Sequence, residues 1–163
     1  EAPKIAITFD DGPSPAWTPK LLDGLKERNV KATFFLIGEN AENTPELVKR
    51  ESEEGHLVGN HTYHHVEITG EEVSYMRPPF GAWQKKLEWE LDVMPVMWTI
   101  DPLDWTTNNE DEIVNKVVTQ AKENDIILLH DCYESSVNAA LRIVDILQKE
   151  GFEFVTVDEL IMN

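Results

Sequence analysis

The chain has little cysteine and little positive charge. Its 163 residues include a single cysteine, Cys132. One cysteine excludes an internal disulfide and a cysteine-only zinc site, so a bound metal would need histidine and carboxylate ligands. The 14 lysines and arginines are outnumbered by 31 aspartates and glutamates, which gives a formal net charge of −17. Nucleic acids and anionic membranes are polyanions, so we expect neither as a partner.

Long apolar runs are also missing. No stretch approaches the roughly 18 consecutive apolar residues of a membrane-spanning helix. The chain opens with Glu1-Ala2-Pro3 and carries no recognisable targeting signal there. No linker, repeat or low-complexity segment interrupts it. We therefore expect one excised or mature soluble domain over residues 1–163, without a membrane span and monomeric.

Short apolar runs alternate with helical patterns along the whole chain. Leu21, Leu22 and Leu25 recur at helical spacing, whereas 126–129 is an uninterrupted apolar run typical of a buried strand. The patterns predict strands over 4–9, 32–37, 57–60, 74–76, 95–100, 126–129 and 152–157, and helices over 18–28, 44–55, 83–91, 110–123, 137–149 and 158–161. This alternation favours an α/β fold with a parallel sheet, and the number of units favours a (β/α) barrel of TIM-barrel type with 7–8 strands.

Polar clusters follow the ends of several predicted strands. In such barrels the chemistry lies at the carboxyl ends of the strands, so these clusters are the candidate active site. The clusters include Asp10, Asp11, His61, His65, Arg77, Asp104 and His130. A simpler interpretation of the first cluster is that Asp10-Asp11-Gly12-Pro13 is an ordinary turn before a helix.

A metal site is plausible among these residues. Two imidazoles and one carboxylate, from His61, His65 and Asp11, suit zinc and would leave one position open for water. His61 and His65 are four residues apart, so one helical turn would place both rings on one side. A pair of His61 and His64 is also possible at this stage, and His56 is expected to be structural.

Five short segments occur in order along nearly the whole chain. They are Thr8-Phe9-Asp10-Asp11-Gly12, His61-Thr62-x-x-His65, Arg77-Pro78-Pro79-Phe80-Gly81, Asp104-Trp105 and Leu128-Leu129-His130-Asp131. Together they resemble the motifs of the polysaccharide deacetylases, also called the NodB homology domain or carbohydrate esterase family 4. The resemblance implies a distorted (β/α) barrel, in agreement with the alternation described above.

The resemblance also implies roles for the residues of the first three segments. Asp11, His61 and His65 would bind a divalent metal, zinc most often and cobalt in some cases. Asp10 would be the catalytic base, which takes a proton from water while the metal polarises the acetyl carbonyl. Arg77 would keep Asp10 ionised and oriented.

The remaining implied roles concern the substrate and the leaving group. The backbone N–H of Phe80 would stabilise the oxyanion together with the metal, in a loop that two prolines make rigid. His130 would be the catalytic acid that protonates the departing amine, and Asp104 would keep its imidazolium charged. Trp105 and Leu129 would form the walls of the pocket for the acetyl methyl group.

The implied function is metal-dependent removal of acetyl groups from a polysaccharide, at the cell envelope or outside the cell. The substrate would be an N-acetylglucosamine polymer such as peptidoglycan or chitin oligomers. Removal of O-acetyl groups from xylan by the same site is an alternative. A non-catalytic glycan-binding barrel is a third possibility, although binding alone would require neither the base nor the ligands nor the acid.

One interval departs from the family pattern. Only 11 residues separate His65 from Arg77, where the family usually has a complete helix and more. Either the chain has lost a helix, or residues are missing from the sequence as given. We favour the second, because 11 residues could hardly supply a barrel helix and a strand together. The barrel would otherwise have a gap beside its metal site.

Overall fold

A computed structural model of the chain describes residues 1–61, 75–77 and 94–161. The strands are β1 (Lys4–Asp10), β2 (Thr33–Leu36), β3 (Leu57–Asn60), β4 (Tyr75–Met76), β5 (Met94–Pro95), β6 (Ile126–His130) and β7 (Glu153–Phe154). The helices are α1 (Thr18–Glu27), α2 (Gly38–Asn43), α3 (Pro45–Glu53), α4 (Glu110–Val118), α5 (Glu134–Lys149) and α6 (Val157–Ile161), with a 3-10 turn at Asp104–Thr106.

β1 lies at the centre of a parallel sheet. The strand order is β5-β4-β3-β2-β1-β6, and β7 pairs with Lys4 and Ile5 at the start of β1. Beyond β5, Ile100 pairs with Ile127 of β6, so the chain that leaves one end of the sheet returns to the other. The described strands therefore form a distorted barrel, which confirms the predicted fold class.

Side chains of β1 alternate between two environments, as the two-residue period of a strand requires. Ile5, Ile7 and Phe9 belong to the large core between the sheet and the helices. Ala6 belongs to a smaller cluster with Phe35, Val96 and Val157. Thr8 and Asp10 share the face of Ala6, so the row on that face begins apolar and ends in a carboxylate.

The outer layer is held by apolar helix faces. Leu21, Leu22 and Leu25 of α1 are fully buried, as their spacing predicted. Helix α5 packs against both α1 and α4. The approach of α1 to α5 is close at Gly24, where a Cβ atom would overlap the side chain of Leu141.

Several predicted boundaries were wrong. Helix α5 begins three residues earlier than expected, α4 ends at Val118 instead of 123, and α2 was not predicted. The strand predicted over 152–157 is only Glu153–Phe154, and the one predicted over 95–100 is reduced to Met94–Pro95 and the bridge at Ile100. The helix predicted over 83–91 lies outside the described residues.

The sheet is continuous beside His61. β3 and β4 pair in parallel through Asn60 and Met76, and Arg77 N–H donates to the carbonyl of Asn60 at 2.8 Å. The gap that a lost helix would leave is therefore not seen between the described parts of these strands. The segment between His65 and Arg77 lies outside them, and the explanation of its shortness stays a prediction.

None of the described helices is both long enough and apolar enough to cross a membrane.

Candidate active site

The end of β1 delivers two adjacent carboxylates to the carboxyl end of the sheet. Asp10 is the last residue of the strand and is 2% exposed. Asp11 follows with a φ of 74°, in the left-handed region that aspartate tolerates better than most residues. This change of backbone direction sends the two neighbouring side chains to different partners, Asp10 to Arg77 and Asp11 to His61.

Close packing requires glycine at position 12. A Cβ atom at Gly12 would overlap the carboxylate of Asp131, which is fully buried. Thr18 Oγ1, at the start of α1, donates a hydrogen bond to Asp131 Oδ2 at 2.7 Å. Burial raises the pKa of Asp131 to about 7. Asp131 thus joins the loop after β6 to the start of α1 and lies directly behind the site.

The carboxylate of Asp10 is paired with the guanidinium of Arg77. Arg77 Nη1 lies 2.9 Å from Asp10 Oδ1 and also donates to Thr8 Oγ1 at 2.7 Å. The other nitrogens donate to backbone carbonyls, Nε to Val96 at 3.2 Å and Nη2 to Met97 at 3.1 Å. Arg77 is 0% exposed, so the structure places it where a substrate in the cavity would not contact it.

Burial shifts both members of this pair toward their neutral forms. Burial raises the pKa of Asp10, against the opposing charges of Arg77, His61 and His130. Burial likewise lowers the pKa of Arg77, although Asp10 counteracts it. A carboxylate whose pKa is raised is a stronger base when it is ionised, which suits proton removal.

His61, directly after β3, presents one ring nitrogen to Asp11. Its Nδ1 lies 2.9 Å from the carbonyl of Arg77, a contact in which Nδ1–H donates. Its Nε2 lies 3.1 Å from Asp11 Oδ1. Burial disfavours charge on both groups, but their mutual hydrogen bond and nearby charges raise the pKa of His61 and lower that of Asp11.

The donor chemistry of this pair fits a divalent metal. A histidine whose Nδ1–H is bound to a carbonyl has its Nε2 lone pair oriented for a ligand, and a carboxylate oxygen lies beside that nitrogen. The third predicted ligand, His65, and its alternative, His64, lie outside the described residues. Within residues 1–61, 75–77 and 94–161, no three His, Cys, Asp or Glu side chains are close enough to hold a metal ion.

A second pair faces the same space from β6. His130 Nδ1 lies 2.8 Å from Asp104 Oδ1, and its backbone N–H donates to Asp104 Oδ2 at 2.8 Å. Ser136 Oγ, in the first turn of α5, also donates to Asp104 Oδ2, at 2.7 Å. His130 Nε2 is 3.8 Å from Asp11 Oδ2, so it faces the candidate metal ligands.

This pairing keeps His130 protonated at neutral pH. Burial alone would lower the pKa of His130, but the hydrogen bond and charge of Asp104, with the charges of Asp11 and Asp10, raise it to about 9. An imidazolium in this position is a proton donor aimed at the cavity.

A cavity of about 500 Å³ joins these groups. Besides Asp10, Asp11, His61 and His130, its walls are Trp98, Asp101, Leu103, Trp105, Leu128 and Tyr133. The side chains of Trp105, Leu103 and Tyr133 are exposed. Phe80, the predicted oxyanion donor, lies outside the described residues.

The prediction of Leu129 as a pocket wall was wrong by one position. Leu129 is fully buried in the core between sheet and helices, whereas Leu128 lines the cavity. On a strand, residues 128 and 130 share a face and 129 has the opposite one. Because His130 faces the cavity, its partner wall must be Leu128.

Several cavity and support residues were missed by sequence reasoning. Trp98, Asp101, Leu103 and Tyr133 line the cavity, and Ser136 supports Asp104. Asp101 and Leu103 closely follow the predicted strand 95–100, and this was the available signal for them.

His56 is structural in its contacts. Its Nδ1 accepts a hydrogen bond from Ala32 N–H at 2.9 Å, and its ring packs edge-on against Phe34 with the centroids 5.3 Å apart. Burial and the charge of Lys31 lower the pKa of His56 to about 4, so the ring is neutral and able to accept.

The geometry defines a barrel with paired acid and base groups at the carboxyl ends of its strands, and comparison with known proteins identifies its family. A family model described as polysaccharide deacetylase matches residues 1–72. Peptidoglycan-N-acetylglucosamine deacetylase PgdA of Listeria monocytogenes is 37% identical over 179 residues, which cover 96% of this chain. A Bacillus cereus peptidoglycan-N-acetylglucosamine deacetylase is 39% identical over 186 residues, covering 96% of this chain and 68% of the relative.

A solved structure shares the fold over nearly the whole chain. Peptidoglycan deacetylase PdaC from Bacillus subtilis superposes with a TM-score of 0.92 at 35% identity, covering 98% of this chain and 90% of that one. The chain belongs to the polysaccharide deacetylase family, whose members generally depend on a divalent metal. The chain spans 38% of the length of the Listeria relative.

Proposed function

We propose that the protein is a metal-dependent hydrolase that removes acetyl groups from N-acetylglucosamine residues of a polysaccharide such as peptidoglycan or chitin oligomers. One observation carries the proposal: Asp10, paired with the buried Arg77, and His130, paired with the buried Asp104, line one cavity together with Asp11. The relatives support this substrate class, because they are named as deacetylases of N-acetylglucosamine in peptidoglycan.

In this proposal Asp10 is the base. Its carboxylate takes a proton from the water that attacks the acetyl carbonyl carbon, so that a new C–O bond forms. Arg77 holds one oxygen of Asp10 by a hydrogen bond of 2.9 Å, which fixes the direction of the other oxygen. Arg77 is a positioning residue here, because it is buried behind Asp10.

His130 is the acid. When the C–N bond breaks, the electron pair stays on the nitrogen, and His130 Nε2 donates the proton that makes it a neutral amine. Asp104 holds the imidazolium through Nδ1 at 2.8 Å and so directs Nε2 toward the cavity. The products are acetate and a glycan with a free amino group. Trp105 and Leu128 would form the walls around the acetyl methyl group.

Asp11 and His61, with His65 from outside the described residues, would hold the metal, for which we propose zinc. Bound there, it would supply Lewis-acid polarisation of the acetyl carbonyl and lower the pKa of water. Neutral imidazole is needed for this, so His61 would exchange its proton for the cation.

Acetate release from N-acetylglucosamine oligomers and from acetylxylan, with and without a chelator, tests the proposal. We expect release from the oligomers, loss on chelation and recovery with zinc. Release from acetylxylan alone would make the protein an O-deacetylase, and release from neither substrate, with glycan binding retained, would make it a binding protein.

The acid assignment has a separate test in the leaving group. His130→Ala should impair amide substrates by ~10²–10⁴-fold, because an amine leaves only after protonation. Activated aryl esters should be impaired much less, since their leaving groups need little protonation. Equal losses on both, with metal still bound, would contradict the assignment.

We further propose that residues 1–163 form a single monomeric domain that acts at the cell envelope or outside the cell. The relatives modify peptidoglycan, a cell-wall polymer, and this supports the location.

A further inference from the structure

The guanidinium of Arg77 lies between two aromatic rings. Its Cζ is 4.6 Å from the ring centroid of Phe35 and 5.6 Å from that of Trp98. Both distances are within the range of a cation–π contact. Phe35 is fully buried in β2, whereas Trp98 is partly exposed and forms part of the cavity wall. Trp98 is therefore the ring that lines the cavity and also contacts Arg77.

The backbone before Trp98 holds the same guanidinium. The carbonyls of Val96 and Met97 accept hydrogen bonds from Nε and Nη2 of Arg77. These contacts align the plane of the guanidinium, and Nη1 is left to bind Thr8 and Asp10. One short segment, 96–98, thus supplies two acceptors and an aromatic cover to the residue that orients the base.

Shielding from water matters for this arrangement. The attraction between two charges weakens steeply as the effective dielectric constant rises toward that of water. A guanidinium open to the cavity would also bind water, which would compete with Asp10 for its N–H groups. Arg77 is 0% exposed although it lies immediately behind a cavity wall.

We propose that Trp98 is a positioning residue for the reaction: by covering Arg77, it keeps the hydrogen bond to Asp10 intact and so holds the base in its reactive orientation. The inference rests on the proposed role of Asp10. A different role for Trp98, as a platform on which a sugar ring stacks, would act on substrate binding instead. The two roles separate in steady-state kinetics, because positioning changes kcat and stacking changes KM.

The test compares Trp98→Leu with Trp98→Phe on N-acetylglucosamine oligomers. Leucine fills much of the space without a π face, whereas phenylalanine keeps one. We expect Trp98→Leu to lower kcat about tenfold or more with KM within twofold of wild type, and Trp98→Phe to recover most of kcat. Trp105→Leu is the contrasting variant: Trp105 lines the cavity, whereas the rings that contact Arg77 among the described residues are Phe35 and Trp98, and we expect the KM of Trp105→Leu to rise.

A double-mutant cycle then asks whether Trp98 acts through Arg77. In an Arg77→Lys background, Trp98→Leu should cost much less than in wild type, because the guanidinium it protects is gone. The inference would be overturned if Trp98→Leu lowered kcat by the same factor in the Arg77→Lys background as in wild type. It would also be overturned if Trp98→Leu raised KM and left kcat unchanged, or if Trp98→Phe were as impaired as Trp98→Leu.

The outcomes distinguish this inference from the proposed function. An inactive wild type, or an active Asp10→Asn variant, overturns the proposed function and the inference with it. If Trp98→Leu does not fold, as judged by its urea unfolding curve, Trp98→Met takes its place, because methionine also fills part of the space without a π face. A tenfold rise in its KM would then refute positioning, whereas a lower kcat at constant KM would support it.

Discussion

Replacement of Asp104 by asparagine should change the pH dependence of the reaction more than its maximal rate. Asp104 accepts a hydrogen bond from His130 Nδ1 at 2.8 Å and contributes to a His130 pKa raised from 6.5 to about 9. Asp104→Asn has nearly the same shape but no charge. We expect the pKa of His130 to fall toward its usual value of 6.5, because the hydrogen bond to a charged Asp104 and the charge itself are lost while burial remains.

The size of the effect follows from the protonated fraction of His130. With pKa values of about 9 and 6.5, this fraction at pH 8 falls from roughly 0.9 to roughly 0.03, a loss of about 30-fold. At pH 6 the same change costs only about 1.3-fold. The loss of kcat/KM on amide substrates should therefore be about 20 times larger at pH 8 than at pH 6.

Acetate release from N-acetylglucosamine oligomers between pH 5.5 and 9.5 measures this difference. Ser136→Ala is the matched control, because it removes one hydrogen bond from Asp104 but keeps the charge. The pKa of the alkaline limb in the pH–rate profile of Ser136→Ala should stay within about one pH unit of the wild-type value. Alkaline limbs that coincide in wild type and Asp104→Asn would refute the reasoning.

The pairing of His130 with Asp104 should also make the stability of the fold depend on pH. The pKa of His130 is higher folded than unfolded, so its contribution is complete below about pH 6.5 and is lost as the pH rises through about 9. The side chain is 12% exposed, and the shift corresponds to on the order of 3 kcal/mol. Urea unfolding at pH 6 and pH 9.5 should show this loss in wild type and little of it in Asp104→Asn.

Three further variants test residues behind the site. Glu51 is fully buried with no hydrogen-bond partner among the described residues for either carboxylate oxygen, and burial raises its pKa well above 4.5. Relative to Glu51→Gln, wild type should lose ~1.4 kcal/mol of unfolding free energy for each pH unit above 4.5 until the raised pKa is reached, because only the unfolded chain ionises Glu51 in that range. Unfolding free energies from urea that change with pH in parallel for the two proteins would contradict this. Gly12→Ala should destabilise the protein by ~1–3 kcal/mol in urea unfolding, because its Cβ would displace Asp131, and a change below about 0.5 kcal/mol would exclude that packing. Thr8→Val, nearly isosteric, removes the hydroxyl that accepts from Arg77 and should lower kcat about tenfold at constant KM, whereas unchanged kcat would show that this bond is dispensable.

The chemical groups of the site were accessible from local sequence. Asp10, Asp11, His61 and His130 follow apolar runs whose periodicity predicts strands, and parallel strands place their carboxyl ends together. The structure does bring these four side chains to one cavity. Order along the chain therefore sufficed to predict which residue types meet, and the family followed from the same segments.

Element ends were less accessible because tertiary contacts decide them. Helix α5 begins at Glu134 instead of Val137, and its first turn includes Ser136, which donates to Asp104 across 32 residues of sequence. The strand predicted over 152–157 is limited to the two residues that pair with β1. Periodicity reports which face of a segment is apolar, but not which neighbour will pair with it.

What the sequence alone determined is the set of acids, bases and candidate ligands at strand ends, because a strand's period and the residue types are local properties. What only the tertiary structure decided is the direction and environment of each side chain. Arg77 is buried between Phe35 and Trp98 because three separate segments converge on it, and no local pattern encodes a contact among residues so far apart in the chain.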